Sequence, residues 1–274
     1  AGYELTVFNR SPGKAEELAQ EGARVAGSPK EVAEESDVVI TMLPGPPEVR
    51  AVIAGEGGLL EGVREGTLLA DMSTSSPVLA RELAQTTRGL GVGMLDAPVS
   101  GGDVGAIEGT LSIMVGGEEA DFERAEPLFE AMGDTVVHVG GSGAGQITKA
   151  ANQIVVALVM EAVSEALVLG SKAGVAPEKI IEVLSGGLAA SKVLEVKGEK
   201  FAKHDFAPGG KVEFHHKDLG IALAAGREYG VALPAAALVD EMFGALKAMG
   251  RGGWDHSALI TLIEEWSGQW PGEG

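Results

Sequence analysis

The sequence predicts an α/β domain built on a mostly parallel sheet, followed by an all-α domain. Three observations predict this. Strand and helix patterns alternate through the first half of the chain. No strand pattern is convincing after residue 140. Between the two regimes an apolar helical run extends from Gln146 to about Ala173. The expected domains are therefore 1–140 and 141–274.

The β-rich runs are Tyr3–Phe8, Asp37–Leu43, Thr67–Met72, Val92–Ala97, Leu111–Val115 and Val136–Val139. Helical patterns lie between them at Gly13–Glu21, Pro29–Glu35, Pro47–Ala54, Pro77–Arg88 and Ala120–Met132. Ser11-Pro12, Ser28-Pro29 and Ser76-Pro77 each place a capping residue before a proline at the first helical position. The long run reads as one helix of roughly 40 Å at 1.5 Å per residue. It is apolar nearly all round, through Ile154, Val155, Leu158, Val159, Val163, Leu167 and Leu169. Such a helix is expected to be buried on most sides, linking the domains and packing against other helices. Further helices are expected at Pro177–Leu184, Ser191–Lys203, Phe214–Tyr229, Pro234–Met249 and Ser257–Trp266.

Composition narrows the function. The chain has 274 residues, enough for two domains, and a net charge of −19. That charge argues against nucleic acid, which needs a basic surface. Any anionic ligand must be held by local cations and donors against the general field. The apolar run stops at Glu161, and Glu165 follows, so no membrane span is expected. The absence of cysteine excludes disulfides, thiolate metal sites and a cysteine nucleophile, and fits a reducing compartment; a cytoplasmic protein is expected. His215 and His216 are adjacent on a helix and point in different directions, and no carboxylate spacing suits a metal, so none is expected.

Several segments could carry chemistry. Gly143-Ala144-Gly145-Gln146-Ile147-Thr148-Lys149-Ala150-Ala151-Asn152 is a glycine-rich turn running into the long helix. Lys149 and Asn152 are three apart and share a helix face. Burial disfavours a charged lysine, so one so placed is paired, chemically employed, or snorkels from the helix start. On this segment alone these readings weigh equally. Asn9-Arg10-Ser11 ends the first strand, where a dinucleotide fold reads the adenosine ribose; an arginine there accommodates a 2′-phosphate. An exposed arginine in a turn is the plainer alternative. If that position is the ribose reader, a Gly-x-Gly-x-x-Gly loop is expected about 20 residues upstream, before residue 1. Ala1-Gly2 then reads as the end of the preceding helix, and the chain as given is expected to lack its first strand and phosphate loop.

Met42-Leu43-Pro44 and Asp71-Met72-Ser73-Thr74 end two further strands, where ligands of open sheets bind. Ser76 reads as a cap; Ser73 and Thr74 are open. In Asp96-Ala97-Pro98-Val99-Ser100-Gly101-Gly102 the serine and glycines let the backbone approach an anion, or merely turn. Lys217-Asp218 adds a cation and a carboxylate opening an amphipathic helix, or simple helix-end charge.

Together and in this order, these motifs resemble the β-hydroxyacid dehydrogenase family, which includes 3-hydroxyisobutyrate dehydrogenases. Within it, Gly105 to Ser112, Ser185 to Ser191 and Asp255-His256-Ser257-Ala258 are similar to the branch reducing tartronate semialdehyde. The one departure is the glycine loop. The resemblance implies a Rossmann-like NAD(P)-binding domain and a helical domain like that of 6-phosphogluconate dehydrogenase. It implies Lys149 as general acid, Asn152 orienting the substrate, and Ser100, Gly101 and Gly102 holding its carboxylate. Asn9, Arg10, Ser11, Met42, Leu43, Pro44, Thr74, Lys217 and Asp218 would meet the cofactor, with NADP(H) favoured and NAD(H) second. The substrate would be a small anionic aldehyde or hydroxyacid, in a cleft between the sheet and the helical half. Close rivals are 3-hydroxyisobutyrate, glyoxylate and succinic semialdehyde as substrates. A rival of another class is a scaffold that keeps the fold without cofactor. The apolar face of the long helix further implies a homo-dimer or homo-tetramer.

Overall fold

A computed structural model describes residues 1–268. The first half comprises β1 (Thr6–Val7), α1 (Pro12–Gln20), β2 (Arg24–Val25), α2 (Pro29–Glu35), β3 (Val38–Thr41), α3 (Pro46–Ala54), β4 (Leu68–Asp71), α4 (Pro77–Arg88), β5 (Gly93–Asp96), β6 (Val99–Ser100), α5 (Gly102–Glu108), β7 (Ser112–Gly116), α6 (Glu119–Glu130) and β8 (Thr135–Gly140). The helical half comprises α7 (Ala144–Lys172), α8 (Pro177–Ser185), α9 (Lys192–Lys203), α10 (Val212–Tyr229), α11 (Pro234–Leu246) and α12 (Leu259–Trp266). The chain forms two compact units that divide inside α7, after Lys149. The expected boundary at 140 and 141 precedes this helix; α7 is continuous through the division.

In the first unit, β1 and β2 form a separate two-stranded parallel sheet. The main sheet runs β3-β4-β5-β7-β6, with β8 added on β7. Strands β3, β4 and β5 are parallel, but β7 is antiparallel to β5 and β6. The sheet is thus mixed where the sequence suggested a mostly parallel one. The cause lies in Ala97-Pro98. The pairs Asp96↔Gly116, Val99↔Ile113 and Ser100↔Ser112 share one register, and Met114 N–H donates to the Pro98 carbonyl. So β5 and β6 are one strand, interrupted where proline has no N–H to give. The short α5 connection then returns the chain antiparallel, since a parallel crossover needs about a dozen residues or more.

Residues of β3, β4 and β5 alternate between the two sheet faces, as period-2 geometry requires. Val39, Leu69 and Met94 pack with Val49, Ile53 and Leu83 on one face. Leu68, Ala70 and Leu95 pack with Ile113, Ala125 and Phe129 on the other. Helix α2 packs against both β1 and β3. Ser28 and Ser76 cap as expected, accepting from the Glu31 and Leu79 amides. Ser11 does not; instead its own N–H donates to Asn9 Oδ1 at 3.3 Å.

In the second unit, Ala157, Met160, Val163 and Leu167 of α7 line one stripe of a core completed by Phe201, Leu219, Val239, Phe243 and Leu259. Their spacing is that of a helix face. The opposite side is open: Val155 is 61% and Leu169 74% exposed. The expectation of burial on most sides therefore holds for one stripe only. By length and composition α7 could cross a membrane; here its buried stripe builds the core of the second unit.

His204 ends α9 in the left-handed conformation (φ 50°) and donates to the buried Glu264 at 2.8 Å. That hydrogen bond, opposed by burial and aided by the carboxylate charge, raises the His204 pKa. A raised folded pKa gives stability that is complete below the ordinary histidine value, about 6.5, and lost as pH rises through the folded one. His204→Gln is therefore expected to lower Tm more at about pH 6 than at about pH 9. Equal effects in thermal melts at both pH values would show that the pair contributes nothing through its charge.

Candidate active site

The carboxyl ends of β3, β4 and β5 carry a connected polar network. Asp71 and Asp96 lie side by side in register at the ends of β4 and β5, and both are buried. Asp71 Oδ1 accepts from the Thr41 hydroxyl at 2.8 Å and from Ser73 N–H at 3.2 Å. Ser73 Oγ accepts from Leu43 N–H at 2.8 Å, which ties the end of β3 to the end of β4. Ser73 is thus employed inside the protein, while Thr74 is half-buried at the rim. Met42 (59% exposed) and Pro44 lie open at the end of β3.

Gln146, also buried, binds this network to α7. Its Oε1 accepts from Ser75 N–H and its Nε2 donates to the Ser73 carbonyl, each at 2.8 Å. Asp96 Oδ1 accepts from Gly143 N–H at 2.7 Å and Oδ2 from Gln146 N–H at 2.9 Å. Burial pushes the Asp96 pKa up to about 6, against the pull of the Gly143 and Gln146 amides and with a smaller push from Asp71. One turn beyond Gln146 stands Lys149, only 6% exposed, so the snorkelling alternative does not describe it.

Ser100, half-buried, continues the β5–β6 path beyond this network, followed by exposed Gly101 (φ 138°) and Gly102 (φ 63°). Both torsions lie where side chains are strained, so the sharp entry into α5 requires glycine.

In the second unit, Asn152 is half-buried and its Oδ1 is a buried atom without a hydrogen-bond partner. The adjacent Gln153 donates from Nε2 to Asp218 Oδ2 at 2.7 Å, and Asp218 Oδ1 lies 3.0 Å from Lys217 Nζ. Asp218 thus meets the α7 turn that carries Asn152, and Lys217 is tied to that turn through Asp218. They do not open their helix, as the sequence suggested: α10 begins at Val212, and the acidic residue of its first turn is Glu213. Asp218 is a buried anchor for Lys217 and Gln153. His215 and His216 do diverge. His215 meets His256 Nδ1 and the Gln153 carbonyl, and His216 meets Asp240.

Asn9, Arg10 and Ser11 follow β1 on the small sheet and are all exposed. Sequence reasoning did not single out Asp71, Asp96 or Gln146 as working residues. The available signal was an aspartate ending each of two adjacent strands, with a glutamine in the glycine-rich turn.

Residues 1–140 match the NAD-binding domain of 6-phosphogluconate dehydrogenase. Residues 143–263 match the NAD-binding domain of NADP-dependent 3-hydroxyisobutyrate dehydrogenase. The chain is 46% identical to the 2-hydroxy-3-oxopropionate reductase of Escherichia coli K12, over 96% of this chain and 90% of that protein. This chain belongs to the NAD(P)-dependent β-hydroxyacid dehydrogenase family. Its fold agrees with solved members. A 3-hydroxyisobutyrate dehydrogenase of Mycobacterium tuberculosis superposes with TM-score 0.86 at 34% identity, covering 96% of this chain and 91% of that one. One of Salmonella typhimurium superposes with TM-score 0.87 at 29% identity, covering 95% and 92%. The protein is a nicotinamide-dependent oxidoreductase with a Rossmann-like domain and a helical second domain, and the scaffold alternative falls.

Proposed function

We propose that this enzyme reduces a small 3-oxo acid, tartronate semialdehyde to D-glycerate before others, with NADPH as the favoured reductant and NADH second. One observation carries the reading: a buried lysine, Lys149, stands one helical turn before Asn152, whose buried Oδ1 has no partner. The residues fit a nicotinamide cofactor. Exposed Met42 and Pro44 at the end of β3 offer apolar surface, and half-buried Thr74 offers a hydroxyl. Exposed Arg10, with no acidic residue in Asn9-Arg10-Ser11, suits an extra phosphate in a chain otherwise strongly acidic. Leu43, Asn9, Ser11, Lys217 and Asp218 complete the proposed cofactor set.

When bound, the reduced cofactor supplies hydride to the substrate carbonyl carbon. Lys149 donates a proton from Nζ to the carbonyl oxygen as negative charge develops there, and regains it from solvent afterwards. Lysine suits the task because burial can bring its pKa toward the working pH. Asn152 Oδ1 accepts from a substrate hydroxyl and so fixes the orientation. Ser100, Gly101 and Gly102 present a hydroxyl and backbone N–H groups to the carboxylate.

The substrate named first follows the 46% identical reductase, whose name is that of the same compound. The other family activity, on 3-hydroxyisobutyrate, is supported by the two structural neighbours, one of which was solved with L-serine. Comparing kcat/KM for tartronate semialdehyde, glyoxylate and succinic semialdehyde, and for 3-hydroxyisobutyrate in the oxidative direction, decides. The semialdehyde of tartronate is expected to lead by about tenfold or more, the worth of one well-made hydrogen bond. A lead for any other compound reassigns the substrate. For the assembly we propose a homo-dimer or homo-tetramer, because α7 leaves Val155 and Leu169 exposed while Val183 of α8 is 74% exposed.

A further inference from the structure

We propose that Asp96 is the positioning residue for Lys149: its carboxylate reaches from the end of β5 to the first turn of α7 and fixes the turn on which the lysine stands. The proposal rests on Lys149 being the proton donor.

The geometry begins with a helix that cannot cap itself. The first α-helical bond of α7 runs from Ile147 N–H to the Gly143 carbonyl at 3.1 Å, which places Gly143 at the N-cap. Glycine has no side chain to accept the free N–H groups of the first turn, as serine or aspartate would. Asp96 takes that part from another strand. One oxygen holds the Gly143 amide and the other the Gln146 amide. A carboxylate here also meets the positive end of a 29-residue helix.

The surrounding glycines show how tight the junction is. A Cβ on Gly145 would lie 2.3 Å from the Asp96 carbonyl and 2.5 Å from that of Met114. A Cβ on Gly116 would lie 2.7 Å from both Asp96 Oδ1 and Gly145 N. Backbone meets backbone here with no side chain between, so the helix start sits directly against the ends of β5 and β7. Gln146 supplies the second clamp, through Ser75 and Ser73. Lys149 is three residues on, one turn above Gln146 on the same face. A shift of the first turn is therefore a shift of its ammonium, and about 1 Å of misplacement costs on the order of 100-fold in rate.

Asp96→Asn tests this. The variant keeps the shape but offers one acceptor where two are used, and its amide N–H₂ faces a backbone N–H. Expected is a fall in kcat of about 10- to 100-fold with little change in KM for substrate or cofactor. Amide exchange across Gly143–Lys149, measured without substrate, should quicken by about tenfold, the worth of a helix cap. Neutral Asp96 resembles the variant, so wild-type kcat should fall as pH drops through about 6, while the variant lacks that limb. Charged groups around the turn include Asp71 on β4 and Arg81 on α4, whose side chain runs beside Gly143, with Lys149 one turn further along α7. If Asp96→Asn does not fold, Gln146→Glu loosens the second clamp: its carboxylate cannot donate to the Ser73 carbonyl, and the same pattern is expected at smaller size. Wild-type kcat in either variant with quickened exchange overturns the proposal, as does unchanged exchange or a loss confined to KM. Activity surviving in Lys149→Ala would instead sink the proton-donor reading, leaving exchange alone to decide whether Asp96 holds α7.

Discussion

Lys149→Ala is expected to lower kcat by about three orders of magnitude, within the range for losing a positioned general acid together with its charge. The fold should survive. Lys149 sits 6% exposed in the first turns of a 29-residue helix whose start is held by Asp96 and Gln146. Alanine is also the better helix former, and it removes a charge from a buried position. The melting temperature should therefore change little, and cofactor should still bind, since the strand-end residues are untouched. Lys149→Arg is informative beside it. Arginine keeps the charge but does not release its proton, so it should restore little turnover. A variant that loses its fold along with its activity would make Lys149 a structural residue.

Asp255→Ala is expected to produce the largest loss of stability. Asp255 is fully buried and accepts four hydrogen bonds: from Lys197 Nζ at 2.7 Å, Gly209 N–H at 3.0 Å, Ser257 N–H at 3.1 Å and Ser257 Oγ at 2.8 Å. Removing it strands the buried Lys197 ammonium and three further donors. Breaking a buried pair from one side costs about 3–5 kcal/mol, which corresponds to a Tm lower by on the order of 10 °C. Burial pushes the Asp255 pKa up, but Lys197, His256 and the Ser257 amide outweigh it and hold the carboxyl below its ordinary value. A depressed folded pKa gives stability present above the unfolded value, about 3.9, and lost as pH falls through the lower folded one. The gap between wild type and variant should therefore narrow in acid. Lys197→Met added to Asp255→Ala should recover part of the loss and no more, because the Gly209 and Ser257 amides still lack their acceptor. A single variant as stable as wild type would show that the pair stabilises nothing.

Much of this was legible in the sequence, for reasons that can be named. Ser28-Pro29 and Ser76-Pro77 mark helix starts because capping and proline geometry are local, and both caps form. The apolar run of α7 and the change from alternating to purely helical patterns after residue 140 are likewise local. What was hidden depends on neighbours far along the chain. The reversal at β7 follows from Pro98 and the length of α5. The open face of α7 depends on which helices reach it. The deep place of Asp218 in α10 depends on that helix starting at Val212, where no sequence signal stood out.

The proposed site divides in the same way. Lys149, Asn152 and the serine-glycine turn after Asp96 were visible as residues out of keeping with their surroundings. Asp96 itself, Asp71 and Gln146 were not, because a carboxylate becomes a helix cap only when a glycine N-cap from another segment is set against it. Ser73, open between a ligand hydroxyl and a cap in the sequence, is an internal tie to Leu43.

The most direct measurement is the decay of NADPH absorbance, then of NADH, on adding tartronate semialdehyde to the wild-type enzyme and to Lys149→Ala, with NADPH binding to each followed by calorimetry. Rapid decay in the wild type, faster with NADPH, and none above background in a variant that still binds NADPH is the predicted result. Equal decay in both proteins, or none in a wild type that binds NADPH, would contradict it.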